Sequence, residues 1–248
     1  MRLLFPLLLL LGMGSAAAAG PFDDLTDEDR TQLGREIRSY LLENPEVLVE
    51  VISELESRQA EAQAQQSAQA LDAHRDAIFD DGHSFVGGNP EGDITIVEFM
   101  DYQCGYCKRA HPEVTELLAR DGNIRFIQKE FPILGPASEI AARAAVAVLL
   151  EQDAALYKAF SDSLMEHDGP LNAKVVEGLA RKAGVDVEAM NALSQDDRVT
   201  RILQANRELG AALQISGTPT FVIGEELVRG YLPMAQLQDV VDAQRDNM

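Results

Sequence analysis

Cysteine is what this chain has least of. Two occur in 248 residues, Cys104 and Cys107, and none remains for a structural disulfide framework. A bridge between these two would close so small a loop that it constrains the unfolded chain very little, so a staple is a weak reason to keep the pair. Basic residues are also scarce: 21 Lys and Arg stand against 41 Asp and Glu, a formal net charge of −20. Such a surface argues against nucleic acid or anionic lipid as a partner. Long apolar runs are missing beyond the N-terminus, so no later segment reads as a membrane span. Strand-like segments are missing from residues 23 to 82, and Gly and Pro are missing from 46 to 79.

What is present begins with "MRLLFPLLLLLGMGSAAAAG": one Arg, a leucine-rich run and a tail of small residues. That layout predicts a secretory signal peptide over residues 1–19, cleaved near Ala18 or Ala19, with an uncleaved anchor as the alternative. Its apolar core, Leu3 to Leu11, is short for a bilayer. Export places the chain in an oxidising compartment, where structural disulfides are common and this sequence has none to spare. The thiols themselves are then the expected function.

Residues 20–82 read as a helical arm and linker. Thr26 or Asp27 can cap a first helix whose apolar residues Leu33, Ile37, Tyr40 and Leu41 recur at three and four. Pro45 suits the first turn of a second helix, predicted over about 45–79. A helix of that length extends roughly 50 Å, beyond one compact core. Leu48, Ile52, Leu55, Gln59, Ala62, Gln66, Gln69 and Ala73 follow a 4-3 spacing, but only the first three are bulky and apolar, which makes half a coiled-coil seam. An oligomerisation arm is expected, with a solvated linker helix as the alternative.

Residues 83–248 form the second region. Ile94 to Met100 and Ile124 to Glu130 are strand candidates, with a helix from the cysteine pair to about Arg120 between them and Pro112 expected to kink it. From about 135 to 213 the pattern is helical throughout, after which "GTPTFVIG" and "ELVRGY" read as a strand pair and Met234 to Ala243 as a closing helix. The fold class is α/β.

Cys104, at the end of a strand and the mouth of a helix, meets unpaired N–H groups and the positive end of the helix dipole. These favour thiolate, the attacking form. Cys107, one turn further in, can resolve a mixed disulfide. Cys-x-x-Cys is also half of many zinc sites, and His111 sits four residues beyond Cys107. Yet His74, His83 and His167 lack ligand spacing, so His111 reads as an ordinary helix residue and neither metal nor cofactor is expected.

"VEFMDYQCGYCK", the downstream "SGTPTFVIG" and the helical block between them resemble the DsbA family of periplasmic thiol-disulfide oxidoreductases, from about Val86 to the C-terminus. The resemblance implies a thioredoxin fold with a helical insertion, preceded here by the arm, and a periplasmic location. It implies that Pro219 is a cis-proline beside the active site, preceded by Thr218, where a missing N–H leaves neighbouring backbone to pair with an extended substrate. It also implies that Glu98 is a buried acid beneath the disulfide, able to relay the Cys107 proton, and that Lys129 pairs with it. A strand-end charge is the alternative for Glu98. Gly105-Tyr106 together with Thr218-Pro219 and the arm is more similar to DsbC and ScsC isomerases. That likeness implies misfolded exported proteins as substrates, a membrane thiol reductase of the DsbD type as partner, and a homo-oligomer, trimer or dimer. A monomeric dithiol oxidase and a Cu(I)-handling thiol protein remain the alternatives.

Overall fold

A computed structural model of the chain describes residues 25–247, so the expected signal peptide lies outside the described residues. Residues up to Ala60 and from Glu61 onward form two units. The first contains α1 (Asp27–Glu43) and the first half of α2 (Glu46–Ala73). Thr26 opens α1 with a capping box: its side chain accepts from the Asp29 N–H while the Asp29 carboxylate accepts from the Thr26 N–H. No residue of α1 is buried.

The second unit starts earlier than position 83. Leu71 in the last turns of α2 and Ile78 in α3 (Arg75–Phe79) are both buried in its core. The single helix expected over 45–79 is therefore two, broken at His74, although neither Gly nor Pro marks the break. Phe79 is held by its carbonyl, which accepts from Arg125 at 2.9 Å.

Five strands follow the order β1-β3-β2-β4-β5, with β1 at Phe85–Gly88, β2 at Ile94–Met100, β3 at Ile124–Glu130, β4 at Thr220–Ile223 and β5 at Glu226–Arg229. Only β2 and β3 run parallel, as the intervening helix α4 (Gly105–Asp121) requires. β1 was not expected. Its two glycines look like punctuation, but Gly88 has φ +65°, and a Cβ there would lie 2.4 Å from the Ile124 carbonyl oxygen. Close backbone approach to β3 explains the glycine. The helical stretch comprises α5 (Pro136–Glu151), α6 (Ala154–Glu166), α7 (Ala173–Ala183), α8 (Val187–Ser194) and α9 (Asp197–Ala212); α10 (Met234–Asp246) closes the chain. Asp153, Asn172, Asp186 and Asp196 cap four of these helices.

Strand alternation divides the core in two. Ile94, Ile96, Met100, Ile124 and Phe126 pack with α4 and the inserted helices. Val97, Phe99, Ile127 and Val222 face the other way, onto Leu71, Ile78, Leu209 and Ile215. The end of β2 delivers the chain from this sheet into α4.

Candidate active site

The turn between β2 and α4 is built on Asp101. Its carboxylate accepts from the Gln103 N–H at 2.8 Å and from the Ile133 and Leu134 N–H groups at 2.9 and 3.0 Å, while its carbonyl accepts from the Cys104 N–H at 3.0 Å. Sequence reasoning missed this residue. An Asp two residues before a turn N–H is a local signal for an Asx-turn, but the bonds to Ile133 and Leu134 are long-range.

Cys104 is the N-cap of α4, and both cysteines are free thiols. Cys104 is 7% exposed and Cys107 is fully buried. The Cys104 Sγ lies 3.1 Å from the Thr218 carbonyl oxygen, and the Thr218–Pro219 peptide is cis. Hydrogen bonding from the Cys107 thiol is the largest cause that lowers the Cys104 pKa to about 5. Burial opposes it, and the Thr218 hydroxyl and the N–H groups of Cys107 and Tyr106 assist. The Thr218 Oγ1 is otherwise buried without a partner, so it is available to a thiolate. Burial pushes the Cys107 thiol far up, and its neighbours Cys104 and Glu98 push the same way. One sulfur thus favours the thiolate near neutral pH; the other keeps its proton until a base removes it.

Glu98 is 5% exposed on the α4 side of the sheet. Burial first, then the negative charge of Cys104, pushes its carboxyl up to about 8. The expected partnership with Lys129 is not made. Glu98 is in register with Gln128, while Lys129 is in register with Phe99 and points to the opposite face. There the fully buried Lys129 ammonium pairs with Asp81 and reaches Ser84 Oγ at 3.4 Å. A one-residue offset on a strand reverses the face, so nearness on an adjacent strand was not enough. The structure therefore gathers Cys104, Cys107, Glu98, Thr218 and Pro219 at one site and sets Lys129 apart from it.

A second buried acid lies at the end of β3. Glu130 Oε1 accepts from the hydroxyls of Tyr102 and Tyr157, both at 2.7 Å, and burial pushes its carboxyl up to about 8. His111 is not idle either: its Nε2 lies 3.1 Å from Asp162 Oδ1, joining α4 to α6.

Residues 95–242, more than half of the chain, match the DSBA-like thioredoxin domain. The chain belongs to that family. Residues 29–62 match the copper resistance protein ScsC N-terminal domain. Among solved structures, a thioredoxin-like oxidoreductase from Silicibacter pomeroyi is 42% identical with a TM-score of 0.66, over 69% of this chain and 98% of that one. Proteus mirabilis ScsC in a transitional conformation is 28% identical with a TM-score of 0.67, over 92% and 100%. The thiol-disulfide exchange protein alpha-DsbA2 from Wolbachia pipientis is 29% identical with a TM-score of 0.69, over 73% and 97%. Of the curated relatives it matches, such as a Salinispora arenicola protein titled Na(+)/H(+) antiporter NhaA 1 at 30% identity, the chain spans only about a fifth of the length (22%). Among the described residues, no helix is long and apolar enough to cross a membrane. With the family established, the site is a dithiol at the N-terminus of α4 in a DsbA-like thioredoxin fold.

Proposed function

We propose that this chain is a periplasmic disulfide isomerase and reductase that acts on misfolded exported proteins. The dithiol chemistry is carried by the asymmetry of the two thiols, in which hydrogen bonding from Cys107 holds the Cys104 pKa down to about 5 while burial pushes the Cys107 thiol far up. The exposed apolar arm is the observation that favours an isomerase over an oxidase. The Cys104 thiolate attacks one sulfur of a substrate disulfide; that bond breaks, the other sulfur leaves as a thiolate and is protonated, and a mixed disulfide remains. The substrate's own thiolate can then displace Cys104, which rearranges bridges with no net electron transfer. Otherwise Cys107 gives up its proton, attacks the Cys104 sulfur and releases the substrate, passing it two electrons and closing the Cys104–Cys107 bridge. A membrane thiol reductase of the DsbD type would return those electrons.

Glu98 is proposed as the base for the second route. Mixed-disulfide formation removes the Cys104 charge, one of the two causes that raise the Glu98 pKa. Burial, the larger cause, remains, but the loss of that charge lowers the Glu98 pKa and makes it a readier proton acceptor at the moment Cys107 needs one. Thr218 and Pro219 would present backbone to the extended substrate.

The arm supports the isomerase reading. Leu42, Val49, Val51, Ile52 and Leu55 are exposed on a unit that buries none of α1. Apolar surface of this kind is covered by association. Copies joined through the arm, as a trimer or a dimer, would present several dithiols to one client and gain avidity.

The test is to compare reactivation of scrambled ribonuclease by the reduced protein with oxidation of a reduced peptide by its disulfide form. Reactivation as the faster process is expected. The reverse order favours a monomeric dithiol oxidase, which the stabilised thiolate also suits, because a stabilised reduced form makes the disulfide a stronger oxidant. Residues 29–62 contain no Cys, His or Met, so Cu(I) held by the dithiol, the remaining alternative, should be lost in Cys104→Ser.

A further inference from the structure

Beside the dithiol, α4 carries a cation that the exchange chemistry does not use. Arg109 follows Cys104 by five residues, and its guanidinium carbon lies 5.5 Å from the ring centroid of Tyr106 and 5.5 Å from that of Tyr231. The guanidinium is therefore held by two rings, at a distance typical of cation–π contact. Tyr106 belongs to the Gly-Tyr dipeptide between the cysteines and is 59% exposed. Tyr231 is fixed from behind: its hydroxyl donates to Glu113 Oε1 at 3.1 Å, and Glu113 Oε2 accepts from the Met234 N–H at 2.9 Å. The residue before it, Gly230, donates its N–H to the Pro219 carbonyl at 2.9 Å, in the same loop that touches Cys104 through Thr218. The stack thus borders the reactive sulfur on the side of the cis-proline loop.

Arg109 has its charge to offer. Glu113, at i+4, is its natural helix ion-pair partner, but both of its oxygens are engaged by Tyr231 and Met234. Lys108, the neighbouring cation, donates to the His167 carbonyl. Among the described residues, no carboxylate lies within ion-pair distance of Arg109, and the first turn of α4 contains no acid. A guanidinium held by cation–π contact with two rings still has N–H groups to donate to a carboxylate, which Arg favours in bidentate geometry.

We infer that Arg109 is a specificity-determining residue that anchors a carboxylate next to the substrate's reactive cysteine, so that the preferred client is an unfolded polypeptide with Asp or Glu flanking its disulfide. This rests on the thiol-disulfide exchange reading. The preference runs against the chain as a whole: a protein of net charge −20 attracts cationic peptides at long range, so a preference for acidic ones can only be local.

The test uses the reduced full-length protein and three peptide disulfides that differ only in the residues flanking cysteine: Glu, Gln or Lys. Second-order rate constants for disulfide cleavage are measured at low and high salt. Cleavage of the Glu peptide about tenfold faster than the Lys peptide is expected at low salt, with the ratio collapsing in about 0.5 M salt. Arg109→Gln should invert the ratio to favour Lys, and Arg109→Lys should fall between. A wild-type preference for the Lys peptide, or a ratio unchanged by Arg109→Gln, overturns the inference. No cleavage of the Gln peptide would instead strike at the exchange reading, so the two failures are distinguishable.

Discussion

Two ion pairs separate the two regions of this chain. Glu54 and Arg58 in the arm lie 2.7 Å apart with side chains 62% and 73% exposed. Asp81 and Lys129 in the catalytic unit are 8% and 0% exposed. The chemistry is the same, but water screens the first pair and is excluded from the second. Apolar residues show the reverse pattern: Val49, Val51 and Ile52 stand exposed, whereas Val97, Phe99 and Phe221 are fully buried. The catalytic unit pairs its buried Lys129 internally, and it leaves Thr218 Oγ1 and Glu130 Oε2 buried without partners beside the dithiol and at the end of β3. The arm is stable as a helix only to the extent that something covers its leucines and valines.

Breaking the arm should have the largest effect. Leu48→Glu combined with Ile52→Glu puts charge on the half seam without touching any buried residue. Light scattering should show the assembly reduced to single chains, with loss of scrambled-ribonuclease reactivation and an unchanged rate on small peptide disulfides. A wild type that is already a single chain would end the contrast. Next comes Asp81→Asn, which leaves the Lys129 charge buried and unpaired and should destabilise the catalytic unit by about 3–5 kcal/mol in urea unfolding. Although burial works against it, Lys129 holds the Asp81 carboxyl down at about 2. A depressed folded pKa stabilises above the unfolded value and loses that contribution as pH falls, here from about 4 through about 2, so the variant should also flatten stability across that acid window.

The parts of this design that were legible in the sequence are those set by local periodicity. β2, β3, α4 and the Thr26 cap follow from alternation, turn residues and side-chain oxygens beside N–H groups. The reactive pair was legible for the same reason, because a strand end and a helix mouth are local features. What was hidden depends on register or on distant segments. Lys129 faces away from Glu98 because a parallel pair aligns Glu98 with Gln128, and no single sequence displays that alignment. Asp101 gathers N–H groups from a loop some thirty residues away, and β1 hides behind Gly87 and Gly88.

Within the catalytic unit the sharper test is Glu98→Gln, which keeps the shape and removes the base. Release of the mixed disulfide by Cys107 should slow by about 100-fold near pH 7, while alkylation of Cys104 keeps its midpoint near pH 5. Equilibrium stability carries an independent sign. The folded Glu98 pKa is raised from 4.5 to about 8, so the folded state holds the proton more tightly and loses stability as pH rises through that window. Removing the acid should make the slope less negative by up to about 1.4 kcal/mol per pH unit, with Glu130 supplying the same sign in both proteins. An unchanged slope would mean that Glu98 is not the buried acid described.

The smallest expected effect belongs to the arm's own ion pair, and its smallness is informative. With Leu48 and Leu55 at d positions and Ile52 and Gln59 at a positions of the half seam, Glu54 falls at c, on the outer surface of any bundle. An exposed i,i+4 pair with Glu N-terminal to Arg is worth about 0.3–0.5 kcal/mol and is screened by salt. Glu54→Ala should therefore shift thermal unfolding of the assembled protein by a degree or less, and moderate salt should erase the shift. A loss above about 1 kcal/mol would mean that a neighbouring copy buries Glu54. The copies would then meet on a different helical face, and the register drawn from Leu48, Ile52 and Leu55 would have to be rotated.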